Sequence, residues 1–168
     1  MITQIKNCRI CGNTDLVPVV SLGEQYLTGI FPSHKTEKLV KGPLRLVKCH
    51  GGENICGLLQ LEHSYDLNQL YGDNYGYRSG LNASMVGHLH RKVADIIERC
   101  DLNKGDLVVD IGSNDGTTLA VYPEYLQLVG IDPTGEKFRS CYEKHIALIP
   151  EFFSSDLISR SFPEKKVK

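Results

Sequence analysis

Four of the six cysteines crowd into the first third of the chain, and this pattern limits its fold more than any other feature. Cys8-Arg9-Ile10-Cys11-Gly12 has the two-residue gap that lets both thiolates converge on one tetrahedral ion. Cys49 and Cys56 lie six residues apart, a wider gap that holds Gly51-Gly52, where the chain can double back. Cys56 is followed by Gly57 as Cys11 is by Gly12. The surrounding residues 1–62 offer only short extended runs: Val17-Pro18-Val19-Val20, Leu44 to Cys49, and Cys56 to Leu61. So few apolar residues make a small core, and modules of this size need a metal or disulfides to hold their shape.

Redox context separates those two options. Met1 to Lys6 lacks the apolar stretch of a signal peptide, and no apolar run approaches the roughly 20 residues that span a bilayer. The expectation is a cytoplasmic chain without a membrane, where disulfides are rare and clustered thiols point to metal. Cys8, Cys11, Cys49 and Cys56 are therefore expected to hold a structural zinc, since four protein ligands leave no open position for water. Three alternatives stay open. The thiols can be reduced core residues, His50 or His63 can replace a cysteine, or Cys8-Cys11 can be a redox pair. Cys100 and Cys141 stand alone and read as buried small hydrophobes. The net charge of -1 supplies no field for a phosphate backbone, so no nucleic acid partner is expected.

Residues 63–80 form a connector rich in tyrosine and glycine, with Tyr65, Tyr71, Tyr75, Tyr77, Gly72, Gly76 and Gly80, too glycine-rich for a long regular element. Leu81 to Cys100 is the clearest helix. Leu81, Met85, Val86, Leu89, Val93, Ile96 and Ile97 recur at three- and four-residue steps, while His88 and His90 fall on the solvated face. Gly105 is read as its stop.

The rhythm then changes. Leu107 to Ile111, Leu126 to Asp132 and Ile146 to Ile149 read as strands, alternating with helix candidates at Thr117–Tyr122 and Thr134–Lys144, the latter with Thr134 as N-cap. Strands alternating with helices imply a parallel sheet in an α/β domain. Asp110-Ile111-Gly112-Ser113-Asn114-Asp115-Gly116 joins the first strand to the first helix candidate, where a glycine admits close approach and a helix start offers free amides. Asp132 ends the next strand, placed to accept from ribose hydroxyls. The loop lacks the G-x-G-x-x-G of dinucleotide sites. Its D-x-G-x-x-x-G form instead resembles the first motif of class I methyltransferases, which bind S-adenosylmethionine. Asn114 stands where that motif often has a central glycine. A nicotinamide site and a tight turn without ligand remain open alternatives.

Taken together, several stretches resemble the C-methyltransferases that act on nucleotide-linked keto-deoxyhexoses. They are Cys8 to Gly12, Leu22-Gly23-Glu24-Gln25, Thr28 to Pro32, Cys56 to Leu61, Leu70 to Met85, Asp110 to Thr117 and Gly130-Ile131-Asp132-Pro133. The resemblance implies an α/β architecture. A small N-terminal zinc-binding β-rich module (1–62) is followed by the connector (63–80) and a partial Rossmann-like class I methyltransferase domain (81–168). It implies that Tyr75, Tyr77, Arg78 and Ser79 lie over a S-adenosylmethionine pocket formed by Asp110, Gly112, Ser113, Asn114, Asp115, Gly116 and Asp132.

The implied reaction is methylation of a carbon beside the ketone of a sugar nucleotide. A base removes a proton and the enolate attacks the sulfonium methyl, which requires the base within hydrogen-bond reach of that carbon. The family's candidate bases lie beyond this chain, so the catalytic residue is unknown and His63, His88 and His90 are not assigned the role. A class I sheet has its first strand central, so Leu107 to Ile111 is expected to be an exposed edge here. Such edges aggregate or pair. The expectations are therefore that the chain alone is inactive, folds poorly beyond its zinc module, or pairs with a chain supplying the missing half. The competing readings are a non-catalytic zinc module with a vestigial cofactor loop, or a methyltransferase for another small molecule.

Overall fold

The computed structural model describes residues 2–27, 29–52, 55–72 and 75–168. Thr28 and Asp73-Asn74 of the resembling stretches lie outside the described residues. The chain divides into two compact units, Met1–Gly76 and Tyr77–Lys168.

The first unit is built from antiparallel strands. β2 (Leu16–Tyr26) pairs with β3 (Lys41–Cys49), which pairs with β4 (Leu59–Leu61). A second small ribbon joins β1 (Thr3–Gln4) to β5 (His63–Ser64). β2 runs well past the short stretch legible in the sequence, and it tolerates Pro18 because it is an edge strand with two register shifts. β4 is shorter than expected, because Cys56 to Leu58 form the turn carrying the cysteine. Leu58 still closes the ladder by accepting from the Cys49 amide at 2.9 Å. Val47, Cys8 and Cys49 are the buried apolar residues of this unit among those described. Within the connector a four-residue helix, α1 (Leu67–Leu70), is capped by Asp66, whose side chain accepts from the Asn68 amide.

The second unit opens with a 3-10 turn at Ser79–Leu81 and then α2 (Ala83–Arg99). Asn82 caps α2, its side chain accepting from the Ser84 and Met85 amides. The helix ends at Arg99, several residues before Gly105, which adopts a positive φ of 85° in the following turn. β6 (Leu107–Ile111), β7 (Gln127–Ile131) and β8 (Ile146–Ile149) form a parallel sheet in that order. α3 (Ser155–Ser161) follows. Alternate residues of each strand point to opposite faces. Val108, Leu128 and Ile146 pack with Val93 of α2, Leu119, Tyr122 and Leu126 on one face. Leu107, Val129 and Ile131 pack with Leu157 of α3 on the other. Helices cover both faces, as parallel sheets require, and the arrangement is Rossmann-like.

Three expectations are corrected. The helix candidates after β6 and β7 are 3-10 turns, Leu119–Val121 and Gly135–Cys141. Pro123 stops the first, and in the second the Thr134 hydroxyl bonds back to Asp132 instead of capping forward. Cys100 is exposed at the end of α2, and Cys141 is half-buried. β6 lies at an edge of its sheet, as expected, and a parallel bridge from Val167 to Leu107 covers its start. Leu107 and Val108 are buried against the two faces, and Ile111 alone of the strand is strongly exposed.

Candidate functional site

The sulfurs of Cys8, Cys11, Cys49 and Cys56 all lie within 4.8 Å of one another. The Cys8–Cys56 and Cys11–Cys49 separations are both 3.5 Å. A tetrahedral zinc with bonds of 2.3 Å requires sulfurs about 3.8 Å apart, so the cluster has the right size for one ion. Gly12 and Gly57 each follow a ligand cysteine with φ near +70° (74° and 67°), the left-handed turn that a side chain disfavours. Gly51 and Gly52 repeat this conformation between Cys49 and Cys56. Neither His50 nor His63 belongs to the ligand set. His63 instead faces Glu62, with Nδ1 3.8 Å from the carboxylate.

The donors around the cluster favour thiolates. Backbone amides of Cys11 and Ile10 lead the effects that lower the Cys8 pKa to about 6. The Asn13 and Cys56 amides likewise hold Cys11 below its ordinary value. The Leu58 amide lowers Cys56, but burial and the three neighbouring sulfurs outweigh it and raise that thiol to about 11. Four sulfurs this close repel as anions, and a divalent cation relieves that repulsion. The Asn13 side chain donates through Nδ2 to Cys49 Sγ at 3.3 Å, fixing the sulfur from outside. Buried Gln60 is anchored by Arg9, whose amide and Nη1 both donate to its Oε1 at 3.2 Å. Its Nε2 is buried without a hydrogen-bond partner, and the Gln60 side chain adds a smaller lowering of the Cys8 pKa. These residues fit a zinc ion.

The second feature is the loop Asp110–Gly116. Gly112 leaves β6 with φ 75°, and its amide still donates to Ile131 at 2.8 Å. Nothing lies within 4 Å of a Cβ built there, so this point of the loop is open. Asn114 follows at φ 52°, the single non-glycine with positive φ among the described residues. Its amide donates to Asp132 Oδ2 at 2.8 Å. Asp132 Oδ1 accepts from the Thr134 amide at 2.7 Å and hydroxyl at 2.6 Å. Three donors thus occupy a buried carboxylate, leaving one lone pair on Oδ2 for a further donor.

Asn114 and Asp115 turn their side chains to the segment Tyr77–Gly80. Asn114 Oδ1 accepts from the Ser79 amide and its Nδ2 donates to the Tyr77 carbonyl, both at 3.0 Å. Asp115 Oδ2 accepts from the Gly80 amide at 2.9 Å and lies 3.5 Å from Arg78 Nε. Burial pushes the Asp115 pKa up, but the Thr117 hydroxyl, the Gly80 and Thr117 amides and Arg78 outweigh it and keep the carboxyl ionised. Arg78 also donates to Cys141 Sγ at 3.0 Å and stacks 5.8 Å from the Phe138 ring. Tyr75 belongs to the first unit, where it bridges to Ile30 and lies beside Tyr71.

Tyr142 is a part of the site that sequence reasoning missed. Its hydroxyl donates to the Asn114 carbonyl at 2.9 Å, so the Ser113 hydroxyl, 2.8 Å away, donates to it in turn. Burial raises this phenol to about 12, which keeps the proton in place. Gly116 and Gly130 make room for the ring, since a Cβ at either would come within 3.0 Å of it. The glycines were visible in the sequence, but their shared neighbour was not. On β6, burial raises Asp110 to about 6, helped by Asp132 and opposed by Lys92 and Thr118.

Residues 8–71 match a family described as "Putative zinc binding domain", a span that includes all four cysteines. The chain is also 29% identical over 160 residues to the C-methyltransferase NovU of Streptomyces niveus. That match covers 94% of this chain and 37% of the length of NovU. No helix among the described residues is long and apolar enough to cross a membrane.

Proposed function

We propose that the chain is the zinc-bearing and cofactor-binding portion of a S-adenosylmethionine-dependent C-methyltransferase, acting on a carbon beside the ketone of a nucleotide-linked deoxysugar. The observation carrying this reading is the loop Asp110–Gly116 at the end of a parallel strand, joined through the Asn114 amide to Asp132 at the end of the next. Likeness to a C-methyltransferase over nearly the whole chain supports it. Bound cofactor would supply the electrophilic methyl group. The open turn at Gly112 would face the methionine portion, and the remaining lone pair of Asp132 would take a ribose hydroxyl. Tyr77, Arg78 and Ser79 would wall the pocket from the segment fastened to the loop. The four cysteines would hold zinc in a structural role. A chain supplying further parts of such a domain would be the natural partner.

A second reading, a zinc module with a vestigial loop, is favoured by one observation: three of the hydrogen-bond positions on Asp132 are already taken within the protein. Calorimetric titration with S-adenosylhomocysteine, with zinc measured on the same sample, separates the two. Micromolar binding with one zinc per chain is expected. Zinc without binding would select the vestigial loop.

A further inference from the structure

We propose that Asn114 is a positioning residue for the cofactor site, fastening the segment Tyr77–Gly80 onto the loop so that the site has its second wall. This rests on the cofactor reading above. The argument begins with backbone conformation. At φ 52° an L residue is strained, and glycine is the residue that relieves it. Asparagine tolerates this region best among side-chain-bearing residues, but it still has to be repaid by contacts. Asn114 makes them at every polar atom. Its amide donates to Asp132, its carbonyl accepts from Tyr142, its Oδ1 accepts from the Ser79 amide, and its Nδ2 donates to the Tyr77 carbonyl. The side chain is buried, so both amide ends would be costly to leave without partners.

An independent feature shows that the segment is fitted closely to the loop. A Cβ at Gly80 would come within 2.9 Å of both Asp115 Oδ2 and Thr117 Oγ1. The Gly80 amide donates to that same Asp115 oxygen. The segment therefore reaches the loop through two successive amides, Ser79 and Gly80, received by two successive side chains. Tyr77 and Arg78 are held on the same short stretch, with Tyr77 left 43% exposed.

The identity of residue 114 separates a turn role from a fastening role, because the two rank substitutions in opposite orders. If the position served only the turn, glycine would equal or improve on asparagine. If it fastens the segment, Asn114→Gly relieves the backbone and loses the site. Asn114→Asp keeps the acceptor for Ser79 but sets an anion against the Tyr77 carbonyl, and should fall between them.

The test uses the zinc-loaded chain and measures S-adenosylhomocysteine affinity, melting temperature and amide hydrogen exchange at Ser79. The expected result is affinity reduced at least tenfold in Asn114→Gly and less in Asn114→Asp. The Ser79 amide should exchange at least tenfold faster in Asn114→Gly, with no loss of melting temperature. Unchanged affinity and unchanged Ser79 exchange in Asn114→Gly would overturn the proposal. If the unmodified chain binds no S-adenosylhomocysteine, the cofactor reading fails instead. Exchange at Ser79 then decides whether the fastening exists without it.

Discussion

The two units reach order by different routes. In the first, Val47 and two of the clustered cysteines are the buried apolar residues among those described, while Val19, Val20, Leu22, Tyr26 and Leu59 stand exposed on its strands. In the second, both faces of the parallel sheet are packed, by Val93 and Leu119 on one side and Leu157 on the other. A sheet that leaves its side chains in water gains little from burial, so a metal is the term that can stabilise it. The second unit has a packed apolar core of its own. The contrast also divides the chemistry: the tightly held cysteines leave no open coordination position, whereas the loop at Gly112 remains open.

Removing the metal should therefore produce the largest difference between the units. A structural zinc site contributes on the order of 10 kcal/mol. Chelation, or Cys8→Ser, is expected to abolish the protected amides of β2 and β3 while those of β6 and β7 survive, as read by backbone NMR. Simultaneous loss of both sets would erase the distinction. A core truncation should do the reverse. Leu128, 1% exposed at the centre of the sheet, is expected to cost about 3 kcal/mol when replaced by alanine. The zinc content should stay at one per chain, and a fall in zinc would mean the second core supports the first unit.

The smallest effect concerns pH. Asp110 is ionised less readily in the folded protein, near 6 against an ordinary 3.8. Its contribution is most favourable below about pH 4 and declines as the pH rises to about 6, because the unfolded chain then carries the charge at lower cost. Asp110→Asn is expected to stabilise the second unit by about 2 kcal/mol at pH 7 and to lose that advantage at pH 4. Denaturant titrations at both values would detect it. Zinc retention should follow the opposite trend, weakening as acid protonates the thiolates. Equal gains for Asp110→Asn at both pH values would remove burial of this carboxyl as the cause.

Much of this organisation could be read from the chain. The cysteine pairs with their trailing glycines, the apolar period of α2 and the short apolar strands are all local patterns, and local patterns report local geometry. The corrected elements share a cause. Thr134 looked like a helix cap because a threonine before a polar stretch usually is one, but the buried Asp132 takes its hydroxyl. Residues 135–141 then tighten into a 3-10 turn. Val167 lies sixty residues from Leu107, too far for any sequence window to show the bridge that covers the start of β6.

The sequence by itself determined which residue types were available: four thiols at knuckle spacing, a glycine at the end of an apolar strand and an acid at the end of the next. Tertiary structure decided where their hydrogen bonds go. It spent most of Asp132 inside the protein, turned Asn114 and Asp115 toward Tyr77–Gly80 and set Tyr142 behind the loop. The reason is that a buried polar group must find a partner. Which partner it finds depends on what the fold brings within 3 Å, and spacing along the chain does not encode that.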